Sequence, residues 1–328
     1  MRLSYWLRRL CAHWKLPRGR ALIRQRPWLS LSRSRIELLE SRIYLSPVAW
    51  DGGGDGVHWG DPLNWSADVL PVSVDDVTIG FGTATIIHNI NDDTIHSLTT
   101  SNKVVLSGGT LTINSLSSIN NDFTISGGVL GGTGDVTYSG ILSWTSGTQS
   151  GSGRTIISAS GGLNVSGSGT VSLNRILENN GAATWTGGTW LMNGGTFENN
   201  GTFTANASGT LQSYGGGGTN VFANAGTFTK QGTGTAEFFA SVTGVAFNNS
   251  GTVNVQAGKL RLATNGTQSG EFSVAAGATL EIAGTQSFAA GVDVAGTGTF
   301  TISGGTTTLA GSVITPLLNV AGTLYFTR

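Results

Sequence analysis

Phe197-Glu198-Asn199-Asn200-Gly201 recurs as Phe222-Ala223-Asn224-Ala225-Gly226 and as Phe247-Asn248-Asn249-Ser250-Gly251, and a weaker copy, Leu177-Glu178-Asn179-Asn180-Gly181, precedes them. The interval from one copy to the next is short and nearly constant, and the next place in the same series is held by Phe272, with Val274 where the asparagine would be. Repetition at a period of this length marks stacked units, none of which can bury its apolar face alone. Trp144-Thr145-Ser146-Gly147 and Trp185-Thr186-Gly187-Gly188 stand two of the shorter periods apart.

A shorter unit overlies the long one, Gly-Thr followed by alternating apolar and polar residues. It stands at Gly109-Thr-Leu111-Thr-Ile113, Gly169-Thr-Val171-Ser-Leu173, Gly201-Thr-Phe203, Gly251-Thr-Val253-Asn-Val255, Gly298-Thr-Phe300-Thr-Ile302 and Gly322-Thr-Leu324-Tyr-Phe326. Strict alternation is a strand with one side chain inward and the next outward. Short strands between glycine corners predict three faces per coil, with each corner glycine taking a φ that other residues tolerate poorly. The chain is therefore expected to be all-β, a right-handed parallel β-helix (β-solenoid) of 20–25-residue coils. Asn179, Asn199, Asn224 and Asn249 then form a structural ladder, their amides bonding to turn backbone and to one another. Phe197, Phe222, Phe247 and Phe272 form an apolar ladder beside it. At about 4.8 Å per coil, residues 80–328 make about eleven coils and a rod of roughly 50 Å. Tandem β-sandwiches are the rival fold, and they do not repeat at so short a period with glycine at the corners.

Composition agrees. Of 328 residues 51 are glycine and only 11% are charged, which removes the good helix formers and leaves Thr, Val, Ile, Phe and Gly. Ordinary hydrophobicity with zero net charge argues against disorder. Within that zero lies an asymmetry: residues 1–46 carry eleven Arg and Lys against Glu37 and Glu40, a net of +9, so the rest of the chain carries −9. A basic head on an acidic body predicts a targeting segment, 1–46, helical or disordered, joined to a mature domain. A helix from Ser34 to Leu45, capped by Ser34, fits the same residues. The one cysteine, Cys11, is in the head, so disulfides and Cys-ligated metals are excluded from the body. No run approaches the length of a membrane helix, and no C-terminal barrel pattern is present.

Leu39-Glu40-Ser41-Arg42-Ile43-Tyr44-Leu45, after an arginine-rich stretch, resembles the Leu-Glu-Pro-Arg-x-Leu-Leu motif of planctomycete secreted surface proteins, with Ser41 for the proline and Tyr44 for a leucine. The resemblance is confined to this short motif and its basic context, and it implies export ahead of a large repeat region. Next, Trp50-Asp51-Gly52-Gly53-Gly54-Asp55-Gly56-Val57-His58-Trp59 and Asn64-Trp65 are similar to the opening of autotransporter-like and adhesin-like repeat proteins. A solenoid must cover the open end of its core. Residues 47–79 are accordingly expected to be a cap, with Trp50, Trp59 and Trp65 as its lid. Two sharper readings compete: a calcium site from Asp51, Asp55 and Asp61, and a sugar stacked on the tryptophans beside Asp55. Residues 80–328 form the solenoid, truncated or uncapped at the C-terminus, where Leu324-Tyr-Phe326 runs into Thr327-Arg328.

Convergent ionisable groups are few. His88 and His96 flank Asp92-Asp93, either a metal cluster or a turn between strands, and the turn is preferred. Asp75-Asp76 reads as a turn before Val77-Thr-Ile79. Lys259, Arg261, Glu271 and Glu281 are what a carbohydrate lyase or hydrolase would use, yet Lys259-Leu260-Arg261-Leu262 and Leu280-Glu281-Ile282 place the charges outward, as a cross-strand pair. No nucleophile elbow or phosphate loop occurs. The expectation is a secreted or cell-surface structural or adhesive repeat protein, not an enzyme, with no catalytic, metal or cofactor residues. Its partners would be surface glycans or other surface proteins, without nucleic acid. The alternative is a polysaccharide-binding or polysaccharide-degrading β-helix.

Overall fold

The computed structural model describes residues 46–328, apart from 81, 209, 240–242, 316 and 328. The basic head, the Leu39–Leu45 motif and the helix expected near it lie outside the described residues. After Ser46–Ala49 and the loop that follows it, the chain from Asp75 onward is strand after strand, most of them short, and these pair in parallel with strands one coil before and one coil after. About 12 such coils form a parallel β-solenoid. In the regular part every third strand stacks. Thr196–Asn199 pairs with Asn220–Asn224 and then Val245–Asn249 on a first face. Thr202–Asn206, Thr227–Gln231 and Thr252–Val255 make the second. Thr210–Gly217, Thr235–Phe239 and Lys259–Ala263 make the third. Trp144 stacks on Val165 and Val165 on Trp185, so the two tryptophan motifs are two coils apart.

Alternation along each strand sends one set of side chains into a continuous apolar core. Asn199 sits on Asn179, Asn224 on Asn199 and Asn249 on Asn224. Each of the first three amides donates from Nδ2 to the Oδ1 of the next, at 2.8, 2.7 and 2.7 Å. Each also reaches a threonine carbonyl of the coil beyond, at 3.1–3.2 Å. The asparagine carbonyls accept two N–H groups of the following corner, as Asn199 does from Ala225 and Gly226 at 2.8 Å each. A buried amide is tolerable only because donor and acceptor are both used.

Phe197, Phe222 and Phe247 stack beside the asparagines, with ring centroids 4.8 and 5.4 Å apart. Phe272 does not continue them. Asn249 pairs with Gln268, so this coil is shorter than the two before it, and carrying their length forward overshoots onto the second face. There Phe272 follows Phe203, Phe228 and Val253 and precedes Val294. The position after Asn249 belongs to Gln268, whose Nε2 bonds to Phe247 O and Gln286 Oε1, both at 2.7 Å.

The corner glycines also have a different reason from the one expected. Among the six Gly-Thr units only Gly109 has a positive φ. At Gly201, Gly226 and Gly251 a Cβ would lie 2.1–2.2 Å from the carbonyl oxygen of the corner glycine one coil below. Close approach of stacked backbones, rather than left-handed geometry, demands glycine there.

At the N-terminal end Ser46–Ala49 pairs with Asp75–Ile79, so the cap module begins with a rung of the first face. Trp50, Trp59 and Trp65 are buried, edge to face at 4.9 and 4.7 Å. In the last coil Leu318, Val320 and Phe326 hold inward positions, under Phe300, Ile302 and Leu309, and are exposed.

Candidate functional site

The cap loop is organised by Asn64 and Asp55. Asn64, fully buried, accepts N–H groups of Gly54 and Gly56 at 3.1 and 2.7 Å and donates to Asp55 Oδ1 and His58 O at 2.9 Å each. Asp55 accepts the N–H groups of His58 and Val57, at 2.8 Å each, and its Oδ2 lies 2.6 Å from His58 Nδ1. The His58 N–H bond first, then Asn64, hold its carboxyl well below the usual carboxylate range. Asp51 and Asp61 likewise accept backbone N–H groups, from Gly53 and from Asp55 and Leu63. These carboxylates fasten a loop. The tryptophans face inward: Trp65 Nε1 donates to Trp59 O at 2.8 Å, and Trp59 packs on the His88 ring. That geometry leaves no stacking face for a sugar.

The polar cluster at His88–His96 divides between two partners. Asp92–Ile95 is a strand, and the turn lies before it at Asn89–Asn91, where Asn91 has a φ of 67°. His88 is buried, with Nδ1 3.0 Å from Gly108 O and Nε2 2.9 Å from Asp93 Oδ2. His96 Nδ1 lies 2.7 Å from Asp76 Oδ1, on the coil before. Asp75 and Asp76 belong to the strand Asp75–Ile79, not to a turn. Asp75 Oδ2 accepts Val72 N–H at 2.7 Å, which closes the loop ahead of it.

Outside, charges form two ladders. Glu237, Arg261 and Glu281 share one column on three successive coils. Arg261 bonds to Glu237 and, at 3.1 Å, to Glu281, which also binds Lys259 Nζ at 2.6 Å and Ser303 Oγ at 2.7 Å. Burial pushes the Glu281 carboxyl up, and the bonds from Lys259, Ser303 and Arg261 outweigh it, so it titrates below the ordinary value. The expected Arg261–Glu281 pair is present, and Glu237 joins it from a coil that sequence spacing alone did not single out. Arg154 makes the second ladder with Glu178, at 2.6 Å, and Glu198. Glu271 is exposed on the second face, apart from both.

Sequence reasoning missed three features. Lys230 points inward between Ala205 and Val255 and is fully buried, with Nζ donating to the carbonyls of Gln231, Gly232 and Ala257. Desolvation lowers its pKa. Arg175 is a second inward cation, 3% exposed. Breaks in the apolar alternation at Ala205, Lys230, Val255 and at Leu173, Arg175, Leu177 were the available signals. Third, Leu191, Tyr214 and Phe239 make an outward, half-buried apolar column next to Gln212 and Glu237, with the two rings 5.6 Å apart.

Searched against known protein families, curated proteins and solved structures, the chain matches none of them. Among the described residues no helix is long and apolar enough to cross a membrane.

Proposed function

We propose that this chain is a secreted or cell-surface structural rod that serves attachment or coat building and carries no catalytic activity. The observation that supports it best is how the ionisable groups are used. Most of the glutamates on the long faces are tied to cations one or two coils away, in Arg154–Glu178–Glu198 and Glu237–Arg261–Glu281–Lys259, with Glu271 the exposed exception. The rest of that outer surface is largely stacked Thr, Ser, Asn and Gln, as in Thr202–Thr227–Thr252 and Thr279–Thr299. Such a surface is uniform along its length and offers many weak hydrogen bonds in place of one reactive centre. The basic head and its resemblance to an export motif support the location. Surface labelling and protease shaving of intact cells producing the full chain test it. The reading requires a protease-accessible, antibody-reachable rod, and a protein found only in the cell lysate contradicts it.

A second reading, polysaccharide binding, is favoured by the Leu191–Tyr214–Phe239 column. Half-buried rings beside Gln212, Glu237 and Arg261 combine an apolar surface with charged and amide groups. On a glycan array, Tyr214→Ala with Phe239→Ala removes any signal this column supports, and a signal that survives the double substitution belongs elsewhere.

A further inference from the structure

Outward positions on this solenoid are mostly small or polar. Among the described residues before the last coil only two outward side chains are aromatic, Tyr214 and Phe239. They share one column, Leu191–Tyr214–Phe239, which Ala263 ends. Their rings lie 5.6 Å apart on successive coils. The two coils that carry them are longer than the coil before and the coil after. Part of the added length follows Tyr214 directly, as Gly215-Gly216-Gly217-Gly218.

This glycine run is fastened in place. Gly215 and Thr243 exchange N–H···O bonds at 3.1 and 3.4 Å, and Asn220 Nδ2 donates to Thr243 Oγ1 at 2.8 Å. Gly217 O accepts the Gly194 N–H at 2.8 Å. Gly216 lies on Leu191, where a Cβ would come within 3.1 Å of Cδ1. A rim without side chains therefore borders Leu191 and Tyr214 on one side. On the other side, two residues back along each strand and about 6.6 Å away, stand Gln212, Glu237 and Arg261. The Gln212 amide and the Tyr214 hydroxyl have no hydrogen-bond partner among the described residues. Glu237 is held by Arg261, which Glu281 and its Lys259 partner also balance, so this neighbouring column carries no unanswered charge.

Rings beside a free amide and a free hydroxyl suit a ligand with an apolar C–H face and a polar rim, which is what a sugar ring presents. The column runs along the solenoid axis with one apolar side chain per coil of about 4.8 Å, so its ligand should repeat at a similar interval. Three coils span only about 10 Å, too little for a protein partner, whose interface takes about 800 Å² from each side. Resting on the polysaccharide-binding reading above, we infer that this column binds a neutral, unbranched polysaccharide chain lying along the rod axis, one sugar unit on each of Leu191, Tyr214 and Phe239. Uronic acids and amino sugars gain no counter-charge there, because the adjacent charges already answer one another.

Titration calorimetry of the full chain with cello-, laminari- and manno-oligosaccharides of increasing length tests this, with oligogalacturonates and chitosan oligosaccharides as charged counterparts. A neutral series should bind, with affinity rising from the dimer to the trimer and levelling off beyond it. Tyr214→Ala and Phe239→Ala should each weaken that binding about tenfold, while far-ultraviolet dichroism stays unchanged because both rings point outward. Gln212→Ala should weaken it several-fold. Binding by the charged oligosaccharides alone overturns the ligand class and leaves the polysaccharide-binding reading standing. Neutral binding that survives Tyr214→Ala with Phe239→Ala places the site elsewhere and also overturns the inference. Binding of no oligosaccharide of either kind removes the inference and that reading together.

Discussion

Two ladders run along this solenoid, and they obey different physics. The inner one, Asn179 to Asn249, links neutral amides that are 0–1% exposed and use donors and acceptors in every coil. The outer one, Glu237–Arg261–Glu281, links full charges across the same coil spacing, with the Arg261 side chain 33% exposed. By Coulomb attraction alone the outer ladder is the stronger. Water reverses the order, because it re-solvates a broken outer pair and cannot reach a broken inner one. What a ladder contributes is therefore decided by what replaces its partner when it is cut.

The comparison can be broken most forcefully in the core beside the amides. Phe222→Ala removes a ring that touches Phe197, Phe228, Phe238 and Phe247, and should cost about 3–5 kcal/mol, read as a fall in the urea midpoint. Next, Asn224→Leu leaves Asn199 Nδ2 and Asn249 Oδ1 without their ladder partners, for about 1–3 kcal/mol. Replacing Asn199, Asn224 and Asn249 together by Leu should cost less than three times the single change, since fewer orphan groups remain. A strictly additive result shows that the amides do not act as a ladder.

On the outer face Glu281→Gln should cost about 1–2 kcal/mol, above an exposed pair because Glu281 holds two cations and a hydroxyl. The effect should shrink in salt of about 1 M, whereas that of Asn224→Leu should not. Acid gives the smallest and broadest change. Bonding holds Glu178 and Glu281 below 4.5 and Asp76 and Asp122 below 3.8. A carboxylate with a depressed folded-state pKa contributes fully above its unfolded value and loses that contribution as pH falls through the folded one. The contribution of these carboxylates should be level from about pH 6 upward and decline below about pH 4.5, while the desolvated Lys230 adds stability as pH rises toward the ordinary lysine range.

The solenoid itself was legible in the residues. Period, alternation and corner glycines are properties of one coil, and stacking copies of a coil in register is the arrangement that buries its apolar side. The asparagine ladder was legible for the same reason, as was the Arg261–Glu281 pair, whose members are one coil apart. Other features depended on coil length and on what lies one coil away. Phe272 changed face because the coil after Asn249 is shorter than the two before it. Asp92–Asp93 and Asp75–Asp76 read as turns because acidic pairs favour turns locally, and pairing with Thr110–Ile113 and with Ser97–Thr100 overrode that preference. The corner glycines answer to a carbonyl of another coil that would collide with a Cβ, a contact no single coil contains. Arg175 and Lys230 are inside because corner carbonyls of stacked coils converge on them. Periodicity alone specifies which way a side chain points, and only the stacked backbone decides what it meets there.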